Sequence, residues 1–167
     1  GPLGVFFKNV EKTIEFCLES EADEIWLLTS SDITEYPGVD RCFSRVPIEK
    51  TAEIYRSCDV LVKLSYVEGM FGPPLEIFHC GGTAIVYDVT GHDEYIEHEV
   101  NGIVVERDDK QGVIDGINRL KNNRDLLEQL IKNAFLVLEN MATDRLLLRI
   151  AKTDAVKAGR NTSGKDD

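Results

Sequence analysis

The sequence has no cysteine pairing that would suit a metal knuckle or a redox couple. Its four cysteines, Cys17, Cys42, Cys58 and Cys80, are scattered, none in a CxxC pair, and their spacing fits no zinc or haem pattern. Cys58 and Cys80 lie in apolar stretches, where a thiol reads as a small buried hydrophobe. Reduced cysteines in turn point to a reducing, cytoplasmic compartment. Long apolar runs are missing too: nothing approaches the ~20 residues that a membrane span needs. Positive charge is scarce, with 19 Lys and Arg against 30 Asp and Glu and a net charge of −11. Nucleic acid and anionic membranes reward clustered Lys and Arg, so both are poor partners for this chain. No internal repeat or linker interrupts the sequence.

What remains is a chain of 167 residues, 43% hydrophobic, which suits one domain with a real core. The first four residues, GPLG, have the look of what a protease leaves when it removes a tag, and they are set aside from the fold. The ordered domain is expected over 5–157, with a polar, disordered tail over 158–167. Between those limits, short apolar runs at 24–29, 41–46, 59–64, 83–87 and 102–105 read as strands, with 5–7 as the end of another. Helical spacing appears at 10–18, 47–57, 73–80, 91–98, 109–120, 124–141 and 144–156. Continuous apolar strands alternating with helices predict an α/β fold, a Rossmann-like parallel sheet with helices on both faces. Ligands of such sheets sit beyond the carboxyl ends of the strands.

The clearest strand, DVLVKL, runs into SYVEGMFGPPLE, residues 65–76. Gly69 and Gly72 allow close backbone approach. Two prolines are well placed at a helix start, where their missing N–H groups would be orphans. A helix start offers N–H groups and a positive dipole end, a natural cradle for phosphate. Carboxylates repel phosphate but accept from vicinal hydroxyls. Glu68 and Glu76 therefore suit the two polyol ends of a ligand whose middle is a diphosphate, which describes a nucleotide sugar. Spacing alone also admits a simpler pair of roles. Glu76 would stabilise the helix dipole by about 0.3–1 kcal/mol, and Glu68 would be a solvated loop acid.

The spacing Glu68-x7-Glu76, followed by HCGGTAIVYDVTGHDEYI, resembles retaining glycosyltransferases of the GT-B fold, the E-x7-E, family-4-like type. The match is to their C-terminal, donor-binding half, and within the class to enzymes of bacterial surface polysaccharides. It covers roughly residues 5–140 and includes, in order, Lys8, the stretch YRSCD at 55–59, Ser65, the two glutamates, Cys80-Gly81-Gly82, Gly91-x-x-Glu94 and Asn101-Gly102. The resemblance implies that Glu76 binds the ribose hydroxyls and Glu68 the hydroxyls of the transferred sugar. It places the backbone of Gly69, Met70, Phe71 and Gly72 around the diphosphate and sugar, Lys8 against the diphosphate and Glu94 near the donor. An arginine usual before the lysine is replaced here by Gly4-Val5. Where many members read E-G-F-G-x-P, this chain has Glu68-Gly69-Met70-Phe71-Gly72, so Phe71 is expected where φ > 0 would be costly.

The activity implied is sugar transfer with retention, from a nucleoside diphosphate to a glycan or lipid-linked acceptor held by a further, N-terminal domain. This chain alone would then be inactive. No cofactor and no metal is implied, and any membrane association belongs to the longer protein, at the inner face. The alternative is a non-catalytic domain of the same fold that serves interaction or assembly. Asp108 and Asp109 read as acids at a helix start rather than a metal site. His79 reads as a packed histidine, His92 as either a ligand neighbour or a surface residue, and Tyr66 as packing rather than a base stack. The run LLLRI at 146–150 is expected to leave an exposed apolar patch.

Overall fold

The structure, a computed structural model, describes residues 1–69 and 71–161, with side chains given through residue 142 apart from Met70. Five strands alternate with helices: α1 (Val10–Leu18), β1 (Trp26–Thr29), β2 (Arg41–Ser44), α2 (Ile48–Arg56), β3 (Val60–Lys63), α3 (Gly72–His79), β4 (Thr83–Tyr87), β5 (Ile103–Val105), α4 (Lys110–Asn122) and α5 (Arg124–Asn161). Every pairing is parallel, which makes this the expected α/β architecture. The described strands form two ladders rather than one sheet, β1-β2 and β3-β4-β5. A groove of about 930 Å³ lies between them, lined by Leu27 and Leu28 of β1 and by Val60 and Val62 of β3.

The core follows from the sequence of β4. All five residues of TAIVY are buried, as a strand covered on both faces requires. Ile77 and Phe78 of α3, Val113 and Leu120 of α4 and Leu130 of α5 close around it. A side chain of this size contributes about 1.5–3 kcal/mol when fully buried. A second, smaller cluster joins Val10 and Ile14 of α1 to Leu27 of β1, with Leu3, Ile33 and Cys42 against it.

Gly81-Gly82 ends α3 in a Schellman motif. Gly81 takes φ +87°, its N–H bonds the Phe78 carbonyl at 3.2 Å, and the Gly82 N–H bonds that of Ile77 at 3.0 Å. A Cβ on Gly82 would stand 2.7 Å from Ile77 Cγ1 and 2.9 Å from the Asp59 carbonyl, so strand and helix meet there without room for a side chain.

Four expectations are corrected. Residues 6–8 form a 3₁₀ turn instead of a strand end, closed by Lys8 N–H to the Val5 carbonyl at 2.9 Å. Residues 91–98 make turns, not a helix. There the buried Asn101 side chain competes for the backbone, accepting from Glu97 N–H at 2.8 Å and donating to the Tyr95 carbonyl at 2.7 Å. Residues 124–161 are one helix, because nothing between 139 and 146 is a Gly or Pro that would break it. Its last four residues reach into the expected tail, of which 162–167 fall outside the described residues. The side chains of the LLLRI run also fall outside them. Finally, the GPLG residues pack against β1: the Gly1 ammonium donates to the Leu28 carbonyl at 3.2 Å and Leu3 N–H to Ser31 Oγ at 2.8 Å.

Candidate functional site

β3 delivers its chain to the edge of the three-stranded ladder at Lys63, and the next two residues, Leu64 and Ser65, are fully buried. The chain then rises into the glutamate loop. A second segment meets it there from far off in sequence. Tyr66 N–H bonds the Phe7 carbonyl at 2.8 Å, and Asn9 Nδ2 bonds the Leu64 carbonyl at 2.9 Å. Asn9 holds φ +53°, a left-handed conformation that asparagine tolerates, and so ends the 3₁₀ turn and starts α1. This tether brings Lys8 to Glu68 across sixty positions of sequence, with Nζ 2.9 Å from both carboxylate oxygens.

Sequence reasoning named both residues, Lys8 for the diphosphate and Glu68 for the sugar, but not their contact, and it missed a third member. Lys63 Nζ lies 2.8 Å from Glu68 Oε1 and donates to Ser65 Oγ at 2.9 Å. The Glu68 side chain is only 9% exposed, against 13% for Lys63 and 24% for Lys8. Burial pushes the Glu68 carboxyl up, but hydrogen bonds from Lys63, Lys8 and Ser65 outweigh it and hold the group below the usual carboxylate range. Burial lowers the Lys63 ammonium more than Glu68 can restore it. The signal for Lys63 was present in DVLVKL: a single cation in an apolar strand needs a partner once the strand is covered.

The other predicted residues divide. Gly69 sits beneath the turn after β4. Thr90 Oγ1 donates to the Glu68 carbonyl at 3.3 Å, and a Cβ on Gly91 would stand 2.0 Å from the Gly69 carbonyl oxygen. Gly91 has φ +93°, so glycine is required there twice over. Glu94 is exposed on that same turn. Met70 lies outside the described residues. Phe71 has φ −83° and ψ 76°, so the strained conformation expected of it does not occur. Its ring is fully buried under the Lys63 ammonium, 5.4 Å from the centroid, and its carbonyl accepts from the Tyr95 hydroxyl.

Gly72 opens α3, with Pro73 and Pro74 following. Of the four amides a helix start leaves free, the prolines remove two. The half-exposed Gly72 amide thereby becomes the main donor of this end. Glu76 is exposed and turns back along the first turn, its Oε1 3.8 Å from where a Gly72 side chain would begin. The Tyr55 hydroxyl lies close to it. Burial first and Glu76 second push that hydroxyl well above the usual tyrosine range. Tyr55, from the YRSCD stretch, is the second residue that sequence reasoning left without a role.

Tyr66 is packed, as expected: its ring lies 5.3 Å from that of Phe6 and stacks on Tyr87 at 6.0 Å. Its hydroxyl donates to Asp108 at 2.6 Å and accepts from Lys12 at 3.0 Å. Asp109 caps α4 through Gly112 N–H at 2.9 Å. The two acids thus part company, one a cap and the other a partner for Tyr66 and Lys12. His79 is exposed at the end of α3, contrary to the packed histidine expected, because α3 buries Ile77 and Phe78 instead. His92 is buried rather than at the surface, with Nδ1 on the Val89 carbonyl within its own turn. Among the described residues, no group of three His, Cys, Asp or Glu could hold a metal, and no helix is long and apolar enough to cross a membrane.

A parallel α/β domain with a carboxylate–lysine loop at the carboxyl end of β3 is a Rossmann-like unit. The family model for glycosyl transferases group 1 matches residues 10–137, and the chain belongs to that family. No curated protein matches the chain by sequence. Solved structures share its fold. Anabaena Alr3699/HepE in complex with UDP and glucose matches at TM-score 0.73 and 17% identity, over 93% of this chain and 47% of that one. TarM matches at TM-score 0.74 and 17% identity, over 91% and 33%. The C-terminal domain of LpcC, a group 1 family protein from Francisella tularensis, matches at TM-score 0.64 and 20% identity, over 80% and 79%. The chain therefore spans about half the length of HepE and 79% of the C-terminal domain of LpcC.

Proposed function

We propose that this chain is the donor-binding domain of a retaining glycosyltransferase that takes a nucleoside-diphosphate sugar and serves bacterial polysaccharide synthesis. The observation that carries the reading is the Lys8–Glu68 pair at the carboxyl end of β3, beside the start of α3. It sets a cation and a hydroxyl acceptor side by side, where a diphosphate joins a sugar. In this reading Glu68 accepts from the hydroxyls of the transferred sugar, Glu76 from the ribose, and Lys8 with the Gly69–Gly72 backbone meets the diphosphate. Glu94 flanks the sugar from the turn after β4. During transfer, charge gathers on the leaving diphosphate. Fixed donors aimed at it lower the barrier, usually as the largest single contribution. The acceptor, a glycan or lipid-linked hydroxyl, is held mainly by a further domain, so the chain alone turns nothing over.

One observation favours the second reading, a non-catalytic domain for assembly. The loop is already satisfied, with Glu68 neutralised by two lysines and two of the four free amides at the start of α3 removed by prolines. Isotope-edited NMR titration with UDP, GDP, dTDP and ADP and their sugars separates the two. Donor binding shifts resonances at Lys8, 68–76 and 91–94 and names the base, and Glu76→Ala removes the response. Silence across the panel, repeated on the full-length protein, overturns the donor reading.

A further inference from the structure

Two cations hold one carboxylate at this site, and they are held differently themselves. Lys63 extends from a strand, and its ammonium is fixed on three sides, by Glu68 Oε1 at 2.8 Å, by Ser65 Oγ at 2.9 Å and by the buried Phe71 ring at 5.4 Å. Lys8 extends from a short 3₁₀ turn and, among the described residues, has Glu68 and the half-exposed Phe7 ring as its partners. The two are not equivalent: one is built into the core and the other rests at its edge. Phosphate and Glu68 compete for lysine, and only the lysine with fewer ties can change partners without stranding a buried group.

We propose that Lys63 is a positioning residue, the standing counter-ion that keeps the Glu68 carboxylate ionised and in place when Lys8 leaves it for the diphosphate. The proposal rests on the donor reading above and assigns the site's two lysines different tasks. Without a second cation, moving Lys8 to the phosphate would leave Glu68 buried and uncompensated, which is strongly unfavourable. With Lys63 in place, the exchange leaves a neutral Lys63–Glu68 pair beside a Lys8–phosphate pair. The charged and titratable groups facing Glu68 are Lys63 from β3, Lys8 from the 3₁₀ turn, the amino terminus of Gly1 and the Tyr95 hydroxyl from the turn after β4.

The test follows the Glu68 side-chain carboxyl carbon by NMR across pH in the wild type, Lys63→Met and Lys63→Arg, alongside titration with pyrophosphate. Pyrophosphate presents the diphosphate without committing to a base. Lys63→Met is expected to move the Glu68 midpoint upward and Lys63→Arg to bring it back, a rescue that a packing role alone would not give. Pyrophosphate affinity is expected to fall about ten- to a hundredfold in Lys8→Met, the scale of one charge-assisted hydrogen bond, and clearly less in Lys63→Met. If Lys63→Met does not fold, Glu68→Gln gives the reciprocal reading, because the Lys63 ammonium should then titrate lower than in the wild type. A Glu68 midpoint indifferent to Lys63 overturns the proposal, as does a Lys63→Met loss equal to that of Lys8→Met. A wild type silent to pyrophosphate overturns the exchange together with the donor reading, while the carboxyl titration still reports the counter-ion role separately.

Discussion

The two ladders of this domain are built to different standards. Around β4, the core residues Tyr87, Phe78, Ile77 and Leu130 are wholly or almost wholly excluded from water, and the strand is flanked by β3 and β5. Around β1, three buried side chains and a fringe of half-buried ones hold a two-stranded ladder together. The glutamate loop grows from the first region, and Lys8 reaches it from a short turn that Phe7 and Asn9 tether to the end of β3. The lesson is one of division of labour: the rigid region presents Glu68, Lys63 and the start of α3, whereas the looser one contributes a single cation on a short turn. A ligand that must draw Lys8 away meets the compliant partner and leaves the stiff one undisturbed.

The sharpest way to break this comparison is to truncate one core side chain in each region. Phe78→Ala should cost about 3–5 kcal/mol and Leu27→Ala about 2 kcal/mol, the lower end for leucine, both read from urea midpoints. Equal losses would show that the two regions share one core. Gly91→Ala comes next. Its positive φ alone costs about 1–3 kcal/mol, and the added Cβ must displace the Gly69 carbonyl. The expected signature is a local shift of the 68–72 resonances with little change in β1. Asp109→Ala removes the cap of α4 and should cost about 1 kcal/mol, measured as a fall in thermal midpoint.

The smallest effect concerns acid. Because the folded Glu68 carboxyl is held below its ordinary value by Lys63 and Lys8 against burial, its contribution is fully present above the unfolded pKa. It is lost as pH falls through the lower folded value. Glu68→Gln should flatten that part of the acid limb in a pH series of unfolding curves, and an unchanged limb would place the acid sensitivity elsewhere.

Much of this was legible before any coordinates. The continuous run TAIVY announced a doubly covered strand, and Gly81-Gly82 announced the end of a helix, since both depend on local chemistry alone. Lys8 and Glu68 were each singled out through resemblance, for different parts of a ligand, and nothing local in either segment says that they touch. The illegible parts depend on competition that a periodic pattern does not rank. The turn at 91–98 carries a helical spacing that the Asn101 side chain overrides, and the 3₁₀ turn at 6–8 replaces a strand because no neighbouring strand takes its backbone. Lys63 escaped notice because nothing in DVLVKL says that the chain turns back five residues later to set Glu68 against its ammonium. His79 was misplaced because one face of α3 was already filled by Ile77 and Phe78.

The groove between the ladders has a consequence for time as well as for space. Among the described residues, no strand pairs the side of β1 away from β2 or the side of β3 away from β4. Backbone amides on those two sides should trade their hydrogens for deuterium rapidly, while those of β4 wait for global opening. Neighbouring residues of one strand, pointing to opposite ladders, would then differ in exchange lifetime by orders of magnitude, and β3 would carry a fast and a slow clock on alternate amides.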